Sequence, residues 1–180
     1  SYRLVGSEMC IRDRYIINAS SDEFFVTDSW QFYWDDLVGE KHLQYLPNAG
    51  HGLYGTYVTD DLINFYSKAI NQNRLPYYEW SIDQNIINLI IEPSAHYKIK
   101  KWSINNSERD FRIYKVGEAW TSEDIDKNKN GKYSISIDNP DSGYTAQFVE
   151  IIFDSDSEES ISITCLLYTS PSPRDGTKSR

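Results

Sequence analysis

The stretch KYSISID, residues 132–138, decides how the second half of the chain is expected to fold. Tyr133, Ile135 and Ile137 alternate with polar residues, and this period of two is typical of a strand with one face in a core. Runs of similar length surround it: YYEWSI, INLIIEP, YKIKKWSI, FRIYKV, YTAQFVEIIF and SISIT. Short strands at this spacing predict a small antiparallel β-sandwich over residues 76–164.

Turn signals and large aromatics support the same prediction. Asn130 and Gly131 form a dipeptide that favours a tight hairpin turn, and PDSG at 140–143 is a second turn signal. Large aromatic side chains are usually buried for packing, so three tryptophans are predicted in the sandwich core: Trp80, Trp102 and Trp120.

Residues 15–75 have a different pattern. YIINAS and HLQYLP are short apolar runs that predict buried strands. Between them, Thr27 or Asp28 can cap a helix that ends at Gly39, and a second helix is predicted to begin with Thr59 as its cap. The apolar faces of the two helices would consist of Trp30, Tyr33, Trp34 and Leu37, and of Leu62, Phe65, Tyr66 and Ala69. Strands alternating with helices predict an α/β fold for this part.

The two ends of the chain look derived from sequencing adapters. A DNA sequence that encodes LVGSEMCIRDR at residues 4–14, read on its opposite strand, encodes CLLYTSPSPRD at 165–175. An inverted repeat of this kind is typical of the transposase adapters used in library preparation, so we exclude residues 1–14 and 165–180 from the fold prediction. Both cysteines, Cys10 and Cys165, lie in these ends and predict neither a disulfide nor a redox compartment.

The charge balance argues against several classes of partner. The whole chain has a formal charge of −9, and leaving out the ends makes it about −12. Nucleic acids and anionic membranes bind to surfaces rich in Lys and Arg, so nucleic acid is not an expected partner. The longest apolar run, IINLII, is far shorter than the ~20 residues of a membrane helix. No membrane span is expected in this segment.

A candidate acid and base follow the two predicted strands of the first part. Asp22 comes after YIIN, and His51 comes after HLQYLP in the turn PNAGHG. An acid followed by a histidine, each after a late strand, is the chain order of hydrolase triads. The carboxylate would fix the imidazole tautomer and stabilise the imidazolium. Glu23 is an alternative acid, whereas His42 and His96 are interpreted as surface or strand residues.

Several segments together resemble one protein family. INASSDEFFVTDSWQFYWDDLVGEKHLQYLPNAGHGL, RDFRIY and GYTAQFVEIIF are similar to the C-terminal portion of the PhoPQ-activated pathogenicity-related protein family. The resemblance implies the C-terminal part of an α/β-hydrolase sheet at 15–75, followed by the β-sandwich. It also implies export from a bacterium, to the periplasm or beyond, and a serine hydrolase triad with Asp22 as acid and His51 as base. The substrate would be a small molecule or peptide with an ester or amide bond.

The sequence departs from the hydrolase pattern at the nucleophile. No Gly-x-Ser-x-Gly turn occurs anywhere in the chain, so the chain by itself is predicted to be inactive. A second class therefore stays open, a noncatalytic binding or adhesion protein built on a hydrolase-like scaffold.

No cofactor and no metal are expected. DKNKNG at 126–131 begins like a calcium loop, but the twelfth position, which should be an acid, is Ile137.

Overall fold

The computed structural model describes residues 14–83, 85–165 and 167–171. This part of the chain contains ten strands, two helices and one 3₁₀ turn. The strands are β1 (Arg14–Ala19), β2 (Lys41–Leu46), β3 (Tyr78–Asp83), β4 (Ile86–Ile91), β5 (Tyr97–Asn106), β6 (Thr121–Ile125), β7 (Lys132–Ser136), β8 (Tyr144–Phe153), β9 (Ile161–Thr164) and β10 (Tyr168–Pro171). The helices are α1 (Val58–Ile70) and α2 (Ile113–Val116), and the 3₁₀ turn is Ser29–Phe32.

The strands form three sheets. β1 and β2 make a parallel pair, and β3, β4 and β7 make an antiparallel sheet in that order. The third sheet is also antiparallel: β6 pairs with β5, β5 with β8, and β8 with both β9 and β10. The predicted α/β fold with part of a hydrolase sheet is therefore wrong. The described chain is β-rich, and its parallel pairing stops at two strands.

The segment between β1 and β2 explains much of this difference. Where a helix was expected over residues 27–38, only the 3₁₀ turn Ser29–Phe32 forms. Trp30 points towards the antiparallel sheets and donates its indole N–H to the carbonyl of Leu167 at 2.7 Å. The ammonium of Lys41 donates to two carbonyls near the end of the segment. Tertiary contacts of the aromatic residues and of Lys41 thus override a helical periodicity that Asp and Gly residues already weaken.

Strand β8 is the centre of the core. One of its edges pairs with β5 over the whole strand, and the other pairs first with β10 and then with β9. Phe148 lies 5.8 Å from Tyr45 and 5.2 Å from Trp120 between ring centroids. Phe153, on the opposite face of the strand, lies 6.0 Å from Tyr78. Since β8 is covered on both faces, one core connects the antiparallel sheets with the parallel pair.

Side chains join the parallel pair to the large sheet. The backbone N–H of Tyr45 in β2 donates to the Thr164 hydroxyl in β9 at 3.1 Å, and that hydroxyl lies 3.4 Å from the carbonyl of Leu43. The Tyr15 hydroxyl donates to the carbonyl of Ser162 at 2.7 Å. These contacts fix the ends of β1 and β2 relative to the core.

Helix α1 buries a different face from the predicted one. Phe65 is half-buried and stacks on Tyr15 at 4.7 Å, as the apolar periodicity suggests. Leu62 and Tyr66 are exposed, whereas Asp61 is the buried residue of the helix. The helix therefore faces the core with a carboxylate, which apolar periodicity alone cannot predict.

Two further elements differ from the prediction, and a third lies in the end that was excluded from it. Part of the run FRIYKV forms the short helix α2 instead of a strand, and strand β6, with the polar sequence TSEDI, was not predicted. Cys165 and Leu167, which belong to the excluded end, are buried, and β10 pairs with β8.

The Asn130-Gly131 turn does not close a hairpin. It connects β6 and β7, which lie in different sheets. Gly131 has a φ of +66°, and a Cβ there would lie 2.0 Å from the carbonyl oxygen of Ile91. The glycine is needed because the backbone at residue 131 passes close to that of Ile91, and not because the turn closes a two-residue hairpin.

Candidate acid–base site

The parallel pair brings Asp22 and His51 together. Asp22 follows β1 and His51 follows β2, and the carboxyl ends of two adjacent parallel strands lie at the same edge. Residues 29 positions apart in sequence therefore meet, with His51 Nδ1 3.1 Å from Asp22 Oδ2. This contact is an ion pair when the imidazole is protonated and a hydrogen bond when it is neutral.

The Asp22 carboxylate is almost fully satisfied by donors. Its Oδ1 accepts the backbone N–H groups of Phe24 at 2.8 Å and Phe25 at 2.9 Å, while Oδ2 faces the imidazole. Burial alone would raise the pKa of Asp22, but the backbone hydrogen bonds from Phe25 and Phe24 and the contact with His51 hold that pKa below its ordinary value. The carboxylate is thus kept ionised at neutral pH.

The imidazole of His51 is accessible on its outer side. Its side chain is 48% exposed, whereas that of Asp22 is 10% exposed. Phe24 meets the ring edge-on at 4.8 Å and Phe25 lies 5.7 Å away. An ionised carboxylate at Nδ1 requires a proton on that nitrogen, so in the neutral ring Nε2 carries the lone pair. This arrangement leaves a proton acceptor at the protein surface, beside two exposed aromatic rings.

Glu23 contacts the same histidine at a different point. Its Oε2 accepts the backbone N–H of His51 at 2.7 Å. A Cβ on Gly50 would lie 3.0 Å from both carboxylate oxygens of Glu23 and 2.9 Å from Cγ2 of Ile113. The two candidate acids therefore make separate contacts with His51: Asp22 contacts the ring and Glu23 contacts the backbone.

Asp28, predicted as a helix cap, makes no side-chain cap. Its carboxylate instead accepts hydrogen bonds from Arg109 and, at 3.0 Å, from Thr169. His42 is buried in β2, with Nδ1 2.6 Å from the Tyr78 hydroxyl.

A cavity of about 730 Å³ opens on the Asp22 side of the pair. Apolar side chains such as Phe24, Phe32 and Phe111 line part of it, and Arg109 and Arg112 line another part. Its size and mixed lining suit part of a small organic molecule.

Three supporting residues were not identified as site residues from the sequence. Asn48 accepts the backbone N–H of Trp120 at 2.8 Å and donates to its carbonyl at 3.1 Å, and the Trp120 indole donates to the Ser21 hydroxyl at 3.0 Å. Trp120 is buried, as predicted, whereas Trp80 and Trp102 are half-buried. No local pattern could reveal these contacts, because the partners are 72 and 99 residues apart.

Two features are missing from the described ranges. Among residues 14–83, 85–165 and 167–171, no three His, Cys, Asp or Glu side chains cluster as they would around a metal ion. No helix in the same ranges is long and apolar enough to cross a membrane.

Comparisons with known proteins agree with the resemblance seen in the sequence. The model of a family described as PhoPQ-activated pathogenicity-related protein matches residues 2–112, a range that includes Asp22 and His51. Autocrine proliferation repressor protein A of Dictyostelium discoideum is 34% identical in an alignment 167 positions long, and the alignment covers 77% of this chain and 34% of that protein. The chain therefore spans about a third of the length of this curated relative.

Proposed function

This chain belongs to the PhoPQ-activated pathogenicity-related protein family, and on that premise we propose that Asp22 and His51 are the acid and the base of a hydrolase. The observation that carries the proposal is the 3.1 Å contact between His51 Nδ1 and an Asp22 carboxylate that backbone donors keep ionised. Such a carboxylate fixes the imidazole so that Nε2 can accept a proton.

The reaction would be nucleophilic cleavage of an ester or amide. His51 Nε2 takes the proton of a serine hydroxyl while that hydroxyl attacks the carbonyl carbon, and the imidazolium then protonates the leaving group. Asp22 stabilises the positive charge that forms on His51 in both steps. The sequence has no Gly-x-Ser-x-Gly turn, so we propose that the serine belongs to a segment outside this sequence. The chain by itself is then inactive.

The surroundings of His51 support an apolar group on the substrate, which would be a small molecule or a peptide. Phe24 and Phe25 flank the imidazole and are 76% and 63% exposed. The cavity beside Asp22 continues this apolar surface with Phe32 and Phe111. Aromatic rings at the entrance favour an acyl or aromatic group beside the scissile bond. We also propose that the protein is exported to the periplasm or the medium, as the family resemblance implies.

The test needs the reading frame that encodes more of the protein. We would sequence the source DNA upstream of the codon for Tyr15, express the longer protein, and treat it with a fluorophosphonate probe. His51→Ala should abolish labelling. His96→Ala is the matched control, because His96 is also exposed and lies 3.3 Å from a carboxylate, that of Asp156. This variant should label like the wild type.

Two results would contradict the proposal. One is a folded longer protein that does not react with the probe, and the other is labelling that His51→Ala leaves unchanged. Either result would favour the noncatalytic binding or adhesion role. For the chain as given, we expect neither labelling nor ester turnover above background.

A further inference from the structure

We propose that Trp120 is a positioning residue that holds the Asp22 loop and the His51 loop together. The proposal rests on the acid–base role proposed above for these two residues. Trp120 lies in neither loop and outside residues 2–112, the range matched by the family model. It contacts both loops through separate groups, its indole ring and its backbone.

The indole group anchors the Asp22 loop. Trp120 Nε1 donates to the Ser21 hydroxyl at 3.0 Å, and Ser21 directly precedes Asp22. Ser21 is fully buried, and its carbonyl accepts the backbone N–H of Ile113 at 2.9 Å. The residue before the acid is therefore fixed through both its side chain and its carbonyl.

The backbone of Trp120 anchors the His51 loop. The side-chain amide of Asn48 pairs with the N–H and the carbonyl of Trp120, at 2.8 and 3.1 Å. Asn48 precedes His51 by three residues and has a φ of +56°, in the left-handed region that Asn tolerates better than most residues. A paired amide contact defines both the distance and the orientation of this turn.

Trp120 is itself fixed to the core. It is 3% exposed, packs on Phe148 at 5.2 Å, and directly precedes β6, which pairs with β5. A direct link also connects the two loops, since the Ser21 N–H donates to the carbonyl of Ala49 at 3.0 Å. Trp120 therefore fixes the two exposed loops to the large sheet. Acid–base pairs need this support, because displacements of about 0.5 Å are enough to spoil a productive geometry.

Trp120→Phe tests the proposal against a matched control, Trp102→Phe. The Trp102 ring also packs on Phe148, at 6.3 Å, and its indole also donates to a side chain, Glu150 at 2.7 Å. Both variants lose one indole hydrogen bond beside the same phenylalanine. Only the Trp120 variant loses a contact to the loop that carries Asp22.

The readout is the imidazole tautomer of His51, measured from ring ¹⁵N shifts in the chain as given. At about pH 8.5, above the ordinary imidazole pKa of about 6.5, the Nδ1–H form should predominate in the wild type and in Trp102→Phe. In Trp120→Phe we expect this predominance to be lost, giving the mixed tautomers of an unrestrained imidazole. Thermal unfolding of both variants separates this effect from a general loss of stability.

Ser21→Ala is the second variant and decides the question if Trp120→Phe does not fold. It removes the acceptor and keeps the indole, so the proposal predicts the same loss of Nδ1–H predominance. An unchanged His51 tautomer in folded Trp120→Phe, or in Ser21→Ala, would overturn the proposal. The tautomer does not depend on turnover. Absence of hydrolase activity in the longer protein would therefore reject the proposed function, whereas the tautomer measurement tests separately whether Trp120 holds the two loops together.

Discussion

Asp22 and Asp61 are almost equally buried, yet their surroundings shift their pKa values in opposite directions. Asp22 is 8% exposed and Asp61 is 7% exposed. Two backbone N–H groups and an imidazole face Asp22, and its pKa is lowered. For Asp61, burial dominates over hydrogen bonds from the Gln44 amide and the Ser162 backbone, and its pKa is raised. Burial raises the pKa of both carboxylates, and the hydrogen-bond donors and neighbouring charges outweigh it at Asp22 but not at Asp61.

The two carboxylates also differ in the kind of partner that they face. The histidine beside Asp22 can become a cation, whereas the hydrogen-bond donors of Asp61 are neutral amides. Near Asp61, Glu150 raises the pKa further by like-charge repulsion. Replacing each carboxylate by its amide keeps the shape and removes the charge, so the same change at the two positions tests the comparison.

The largest effect is expected from Asp22→Asn on the activity of the longer protein. The amide cannot hold the imidazole in the Nδ1–H tautomer, and loss of the acid in a triad of this type typically lowers kcat by about 10⁴-fold. Asp61→Asn is the control and should change kcat little, since Asp61 is the buried residue of helix α1 and bonds to Gln44, not to His51. Equal losses in the two variants would mean that the charge at Asp22 has no special role.

Substitution of Glu23 is expected to have a smaller effect. It distinguishes a structural role, as the acceptor for the His51 backbone, from a catalytic role as the acid. Glu23→Ala removes the acceptor of the His51 N–H and should lower the free energy of unfolding by about 1 kcal/mol, the usual net contribution of a hydrogen bond. Glu23→Gln keeps an oxygen for that N–H and should retain most of the stability. Urea unfolding of both variants measures this difference. If Glu23→Gln instead destroys activity in the longer protein while Asp22→Asn leaves most of it, Glu23 is the acid.

The sequence predicted the proximity of Asp22 and His51 better than it predicted the sheet around them. Both strands before Asp22 and His51 could be recognised as apolar runs, and their parallel pairing brings the following loops to one edge. The larger fold could not be inferred in this way, because the helical periodicity of residues 27–38 competes with contacts that Trp30 makes to Leu167, 137 residues away. Local patterns carry no information about such distant partners.

Supporting residues were the hardest to predict. Trp120 matched the pattern of a core aromatic and Asn48 that of a turn residue, and both descriptions fit the structure. The sequence gives no sign that the two residues pair with each other. Residue type restricts the local conformation, whereas the pairing depends on how β6 is placed beside β5.

The smallest expected effect is on the pH dependence of the free energy of unfolding, and it has opposite signs at the two carboxylates. The folded pKa of Asp61 is raised above the ordinary 3.8, so the protonated carboxyl favours folding. This contribution is complete below the unfolded pKa and is lost as pH rises through the folded one. Asp61→Asn, which cannot ionise, should therefore be more stable than the wild type at pH 7.5. The expected gain is about 1 kcal/mol, the lower end of the cost of a poorly satisfied buried polar group, and it should vanish near pH 3.5.

Asp22 should behave in the reverse way. Its folded pKa is lowered, so its contribution is present above the ordinary 3.8 and is lost as pH falls through the folded value. Asp22→Asn should be less stable than the wild type at pH 7.5, and this deficit should shrink below about pH 4. Urea unfolding of the three proteins at several pH values gives both differences. Parallel pH dependences for Asp22→Asn and Asp61→Asn would contradict the opposite pKa shifts of the two carboxylates.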